Sequence, residues 1–164
     1  MTRILLLALL CLLPSLCMAA TPKERLFVFE RSKNKNYICY DVHTSGDVLD
    51  KDEPIHAYWI EAETDGKRSE LSFFQKKMAF GYKVISRGSN DVTISLKAYD
   101  KLLIHVYKKG NKWIAAAKWN GKDIIISRMF AQLHSPNSLV VDYVDIQGKL
   151  LSTGEPVSER IHRQ

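Results

Sequence analysis

At 164 residues, with 24 basic side chains against 18 acidic ones, the chain has the length of one domain and a net charge of +6. Its basic residues are scattered through turns and outer faces. There is neither a helical basic stripe nor an aromatic RNA-binding signature, so nucleic acid is not expected as a partner, and the charge implies mild attraction to an anionic envelope surface or ligand.

Residues 1–20 are expected to form a signal peptide. Arg3 supplies the positive end, residues 4–13 are an apolar run too short to span a bilayer comfortably, and the small residues Ala19 and Ala20 precede a Thr-Pro boundary. Cys11 and Cys17 each follow a leucine, a poor fit to a lipid anchor, and the lack of a twin-Arg pair indicates the general secretory route. Cleavage after Ala20 would leave residues 21–164 as a single β-rich domain without a transmembrane span, periplasmic or extracellular. Without Arg3 the balance is 23 basic against 18 acidic, a net of +5. A chain of that size buries roughly 68% of its unfolded surface, enough for a core without staples. Only Cys39 remains, so no internal disulfide can form, and a single thiol within a strand pattern reads as a small buried hydrophobe.

The mature chain opens with a hairpin. Residues 26–29, Leu-Phe-Val-Phe, are apolar on both faces, as a strand covered on both sides would be. A loop rich in Asn, Ser and Lys follows, and β-type residues resume at 37–42. Glu30, Arg31, Asn34 and Asn36 form either a ligand rim carrying donors and acceptors or simply a polar hairpin tip. Residues 43–53 read as a loop. Residues 55–62 read as a strand on which His56 and Tyr58 share one face and Trp59 lies on the other; His56 and Tyr58 either line a pocket or pack as a surface pair. A turn at Asp65-Gly66 precedes a short helix. Ser69 is its expected N-cap, Leu71, Phe74 and Met78 its apolar face, and Gly81 its left-handed stop.

Residues 82–87 and 91–97 form the next expected hairpin, with Val92, Ile94 and Leu96 facing inward. The run 102–130 carries two turn signals, Gly110-Asn111 and Asn120-Gly121. Two-residue loops at both would pair Lys109 with Lys112, Tyr107 with Ile114, Lys118 with Asp123 and Trp113 with Arg128. The resulting apolar face contains Ile104, Val106, Ala115, Ala117, Ile124 and Ile126, and also Arg128. A guanidinium there must be paired, stacked or at an open end: it either bonds Glu30, Glu61 or backbone carbonyls, or binds an anionic head group. Residues 135–137 break the chain, residues 139–147 form the last strand, and the remainder is a loop and polar tail.

Three stretches carry a resemblance: Glu30-Arg31-Ser32-Lys33-Asn34-Lys35-Asn36-Tyr37-Ile38-Cys39-Tyr40-Asp41; Pro54-Ile55-His56 with Tyr58-Trp59-Ile60; and Leu71-Ser72 with Gln75 and Gly81-Tyr82. They resemble a family of exported bacterial proteins known only as a domain of unknown function. The resemblance implies a single recurring exported domain and no particular activity.

The expected fold is all-β, an antiparallel barrel or two-sheet sandwich of about nine strands with one short helix. No nucleophile elbow, phosphate loop, dinucleotide fingerprint or zinc-binding helix is present, and no cofactor or metal is implied. The leading functional expectation is a binding module for a small ligand, anionic or amphipathic in character. Tyr58, Trp59, Tyr82, Trp113 and Phe130 would line a cup and Arg31, His56 and Arg128 would give it polarity. The competing expectation is an envelope protein–protein module with a packed interior. A Cys39–His56 hydrolase or transpeptidase dyad is a third and weaker one.

Overall fold

The computed structural model describes residues 24–134 and 140–162; the expected signal peptide at 1–20 and the expected break at 135–137 lie outside them. Strands β1 (Arg25–Arg31) and β2 (Tyr37–Val42) form the opening hairpin, and the small pair β3 (Thr44–Ser45) and β4 (Val48–Leu49) folds within the loop that follows. Next come β5 (Ile55–Glu61), β6 (Lys67–Glu70) and a helical segment that begins at α1 (Phe73–Gln75) and continues as a wider π turn over Lys76–Phe80. Strands β7 (Tyr82–Arg87), β8 (Asp91–Leu96), β9 (Tyr99–Lys109), β10 (Lys112–Trp119), β11 (Lys122–Leu133), β12 (Val141–Leu150) and β13 (Pro156–His162) complete the described chain. Eleven strands join one curled all-β sheet.

That sheet is organised on β11. One edge of β11 pairs with β12 from Ile124 to Leu133. The other edge is shared. Its first half pairs antiparallel with β10, from Lys122 opposite Trp119 to Ile125 opposite Ala116, and its second half pairs in parallel with β1, from Arg128 opposite Val28 to Ala131 opposite Arg31. Two four-stranded arms therefore leave the same edge, β1-β2-β5-β6 and β10-β9-β8-β7. The buried side chains of both arms and of β11 form one hydrophobic cluster. The pairing is antiparallel apart from the β1–β11 step, which joins the first strand to a strand almost a hundred residues later.

Both expected two-residue turns are present. Lys109 faces Lys112, Tyr107 faces Ile114 and Lys118 faces Asp123. Val92, Ile94, Ile104, Val106, Ala115, Ala117, Ile124 and Ile126 are buried, as the period-two alternation requires. The expected Trp113–Arg128 pairing does not form, because β1 has replaced β10 by that point. The Trp113 N–H freed by this separation donates instead to the Glu24 carboxylate at 2.8 Å, which meets the requirement that a buried backbone donor find an acceptor.

A bulge then inverts the alternation. Ile126 faces Gly148 and Arg128 faces Gln147, so Ser127 is the extra residue, and its hydroxyl donates to the Gln147 carbonyl at 3.2 Å. Before the bulge Ile124 and Ile126 are buried; after it Met129, Ala131 and Leu133 are. Arg128 and Phe130 consequently leave the core face on which an unbroken alternation would put them. Gly148 permits the close approach here, since a Cβ on it would lie 1.9 Å from the Ile125 carbonyl oxygen.

The helical segment also differs from expectation. Ser69 lies in β6, opposite Trp59. Ser72 is the N-cap, accepting from the Gln75 N–H while the Gln75 side chain accepts from the Ser72 N–H, a capping box. Leu71 is buried, but Phe74 and Met78 are exposed; Phe80 is the residue that packs on the core. Gly81 has extended backbone (φ −73°, ψ 176°) and is no left-handed stop. Its lack of a Cβ matters because one would meet the Lys76 carbonyl oxygen at 1.9 Å. The polar tail is an edge strand, β13, paired with β12.

A phenol links the two arms on the side away from β11. The Tyr82 hydroxyl accepts from the Ile55 N–H at 3.2 Å and donates to the Ile55 carbonyl at 2.9 Å. It thereby satisfies the edge of β5 before β6 begins, and burial raises its pKa to about 12. Tyr82→Phe leaves both Ile55 groups unmet and is expected to lower unfolding stability by about 1–3 kcal/mol in urea titration. Gly148→Ala forces backbone apart at the bulge and is expected to cost about 1–3 kcal/mol. An unchanged denaturation midpoint for either variant would contradict its role.

Candidate functional site: an apolar chamber and a polar cleft

Two concavities of about 410 Å³ each are present among the described residues. The first is an apolar chamber. Its floor takes Phe29 from β1, Leu96 from β8, Met129 and Ala131 from β11 and Ile161 from β13, all of them buried. The wall is continuous across three strands, because Ala131, Val144 and Ile161 sit side by side in register on β11, β12 and β13. This wall depends on the bulge at Ser127, which turns Met129 and Ala131 inward. Polar groups come only from Tyr99, Lys101, Tyr143 and His162. An apolar wall with a few polar groups is the usual composition of a small-molecule site, and the volume falls within the common range of about 300–1,000 Å³.

The second concavity is a polar cleft lined by Arg31, Asn36, Trp59, Glu61, Ser69, Glu70 and Gln75. It unites three of the sequence-derived site residues, Arg31, Asn36 and Trp59. The Arg31 guanidinium carbon lies 4.9 Å from the Trp59 ring centroid and 5.3 Å from that of Phe80. Its Nε is buried without a hydrogen-bond partner, and burial lowers the group's pKa. Glu61 accepts from the Ser69 hydroxyl at 2.5 Å, which holds the carboxylate below its usual range. Phe80 packs on both Phe29 (6.1 Å between centroids) and Trp59 (5.3 Å), linking the chamber's floor to the cleft's wall.

The other expected site residues are dispersed. Glu30 pairs with Arg128 at 2.5 Å, and Arg128 also donates to the Gln147 side chain at 2.9 Å. The guanidinium lies near Phe130, with 5.3 Å to its centroid, and not over Trp113, which is buried in the core. Asn34 has a buried side-chain oxygen without a hydrogen-bond partner. His56 contacts Glu53 and Glu70 and lies tilted against Tyr58. Tyr58 is buried, donates to Asp41 at 2.6 Å and accepts from Arg25 at 3.0 Å; burial and then the Asp41 bond push its pKa up to about 12. Tyr82 serves the seam described above. Cys39 is fully buried, and burial raises its thiol pKa, the reverse of what a nucleophilic thiolate requires. No group of three or more metal-ligating side chains occurs among the described residues.

Sequence reasoning missed the chamber because its lining residues are mostly ordinary strand residues, drawn from six strands. The only signal was a cluster of small and medium apolar residues at 129, 131, 140, 141 and 144 beside Tyr143, and a core strand produces the same pattern.

The arrangement defines an all-β fold with an apolar chamber. The chain belongs to the family described as "Domain of unknown function (DUF4833)", which matches residues 27–160, from β1 into β13. No curated protein and no solved structure matches it. No helix among the described residues is long and apolar enough to cross a membrane.

Glu30 and Arg128 tie β1 to β11 across the parallel step, each about one-third exposed. A double-mutant cycle with Glu30→Gln and Arg128→Met is expected to give a coupling of about 0.5–1 kcal/mol. A coupling of zero would remove this pair from the account of how the arms are joined.

Proposed function

We propose that this protein is an exported binding module for a small amphipathic molecule. The apolar part of the ligand occupies the chamber floored by Phe29, Met129, Ala131 and Ile161. An anionic head lies toward Lys101 and His162. The observation that carries the reading is the chamber itself: about 410 Å³ lined mainly by apolar side chains, with Tyr99, Lys101, Tyr143 and His162 as its polar ones. A module that works only through its outer surface has no need of such a space, so the chamber favours the cup over the packed interior. Export rests on Arg3, the apolar run at 4–13 and the Ala19-Ala20 pair. The buried Cys39 argues against the transpeptidase alternative.

A second reading places a polar ligand group in the cleft. It is favoured by the unpartnered Arg31 Nε between two aromatic faces, where a carboxylate or phosphate oxygen would complete the guanidinium's hydrogen bonding.

Dodecanoate titrated calorimetrically into the purified protein tests both readings. Saturable binding with a Kd of about 10–100 μM is expected, consistent with roughly 0.4–0.5 kcal/mol per non-hydrogen atom. Ala131→Phe fills the chamber and is expected to abolish binding without unfolding the protein, and Lys101→Gln to weaken it about tenfold, the loss of about 1.4 kcal/mol. Binding that survives Ala131→Phe but is lost in Arg31→Met would move the site to the cleft. No binding of dodecanoate or of its trimethylammonium analogue would overturn the amphipathic-ligand proposal.

A further inference from the structure

The helical segment that supplies Phe80 to the core leaves three large apolar side chains outside it. Phe73, Phe74 and Met78 are 71%, 74% and 71% exposed, whereas an amphipathic segment of this kind would bury such residues. They do not sit on a loosely tethered loop. The Ser72–Gln75 capping box fixes the first turn, and the Phe80 carbonyl accepts from the buried Tyr40 hydroxyl at 2.8 Å. The two phenyl rings meet edge to face with centroids 5.9 Å apart. The segment is therefore a short protrusion, anchored at both ends, that holds an aromatic pair outward.

The stretch of chain that carries it has charge of one sign. From residue 71 to residue 90 the chain has four basic residues, Lys76, Lys77, Lys83 and Arg87, and no acidic one. Lys77 lies over the Phe73 ring, 5.8 Å from its centroid. Lys76 reaches back to Glu53 at 3.6 Å, and Arg87 donates to the Asp50 carbonyl at 3.0 Å, so Lys77 at the Phe73 ring and Lys83 on β7 are the two of the four not engaged with residues 50–53. Strand β7 adds the exposed Val84 and Ile85.

Three apolar side chains are too few for a stable protein interface, which takes about 20–30 residues a side. They suit the interfacial zone of a bilayer. There aromatic rings sit at head-group depth while lysines extend their stems along the apolar surface and place their ammonium groups among phosphates. We propose that segment 73–80 docks this protein on an anionic lipid surface: Phe73, Phe74 and Met78 enter the interface, and Lys77 and Lys83 meet the lipid phosphates. This site is separate from the chamber and does not depend on what the chamber binds.

The test is co-sedimentation of the protein, purified from an exported preparation, with vesicles of equal parts phosphatidylglycerol and phosphatidylcholine and with vesicles of phosphatidylcholine alone. Partitioning onto the anionic vesicles is expected to exceed that onto neutral ones at least about tenfold at low salt. The Phe73→Ser, Phe74→Ser double variant is expected to lose at least about tenfold, and the Lys77→Gln, Lys83→Gln double variant to fall toward the phosphatidylcholine value. Equal partitioning onto both vesicle types, or binding unaffected by the Phe double variant, overturns the proposal. So does a dimer in solution that the same variant dissolves, which would assign the patch to a second copy of the chain. Should the double variant not fold, Phe74→Trp replaces it: added emission that shifts to the blue on anionic vesicles supports insertion, and unshifted emission overturns it.

Discussion

The backbone of β11 must find hydrogen-bond partners along twelve residues on both edges, and one of those edges is divided between two strands of opposite direction. An unpaired buried peptide group costs about as much as a lost hydrogen bond, so the division has to be close to complete. β10 serves the edge as far as Ile125 and β1 takes over at Arg128. The Glu24 carboxylate covers the Trp113 N–H freed where they part. Most of the architecture follows from this. Two arms leaving one edge must diverge, their inner faces close on one core, and the far side needs its own link, which the Tyr82 hydroxyl provides. The bulge at Ser127 falls at the changeover, so the alternation that serves the β10 half turns over for the β1 half. Met129 and Ala131 thereby come to floor the chamber. The chamber is a consequence of how β11 is shared.

The parts of this fold legible in the sequence are those governed by local rules. Gly110-Asn111 and Asn120-Gly121 set two hairpins whose register follows by counting, and the alternation in β8, β9 and β10 picks out the core face. What was not legible depends on partners distant in the chain. Nothing in Ile126-Ser127-Arg128-Met129 distinguishes a bulge from a continuous strand; the cause is the strand change on the neighbouring edge and the close approach at Gly148. The edge strands β6 (Lys-Arg-Ser-Glu) and β13 (Pro-Val-Ser-Glu-Arg-Ile-His) lack the apolar alternation that marks a strand, because edge strands carry charge for reasons of solubility. The helix cap was displaced by three residues because Ser69 and Ser72 are equally good caps in isolation, and only the pairing of Ser69 with Trp59 decides between them.

The candidate site divides in the same way. Arg31, Asn36 and Trp59 are recognisable by chemistry, and they do meet in the polar cleft. Glu30 and Arg128 were both singled out, and they serve each other across the parallel step. His56 and Tyr58 lie in a network with Arg25, Asp41 and Glu70 on the outer side of the first arm. The chamber carries no such chemical signature. Its residues are those any β-core uses, and its existence depends on where the arms fail to meet.

The most direct test of the chamber as a binding site is native mass spectrometry of the protein purified from an exported preparation. A non-covalent adduct that disappears under denaturing spray, with a mass in the range of a single amphipathic molecule, is the predicted result, and its fragmentation would identify the ligand class. A bare chain mass, unchanged after incubation with a lipid extract, would contradict the account and leave the chamber as a packing defect at the point where the two arms part.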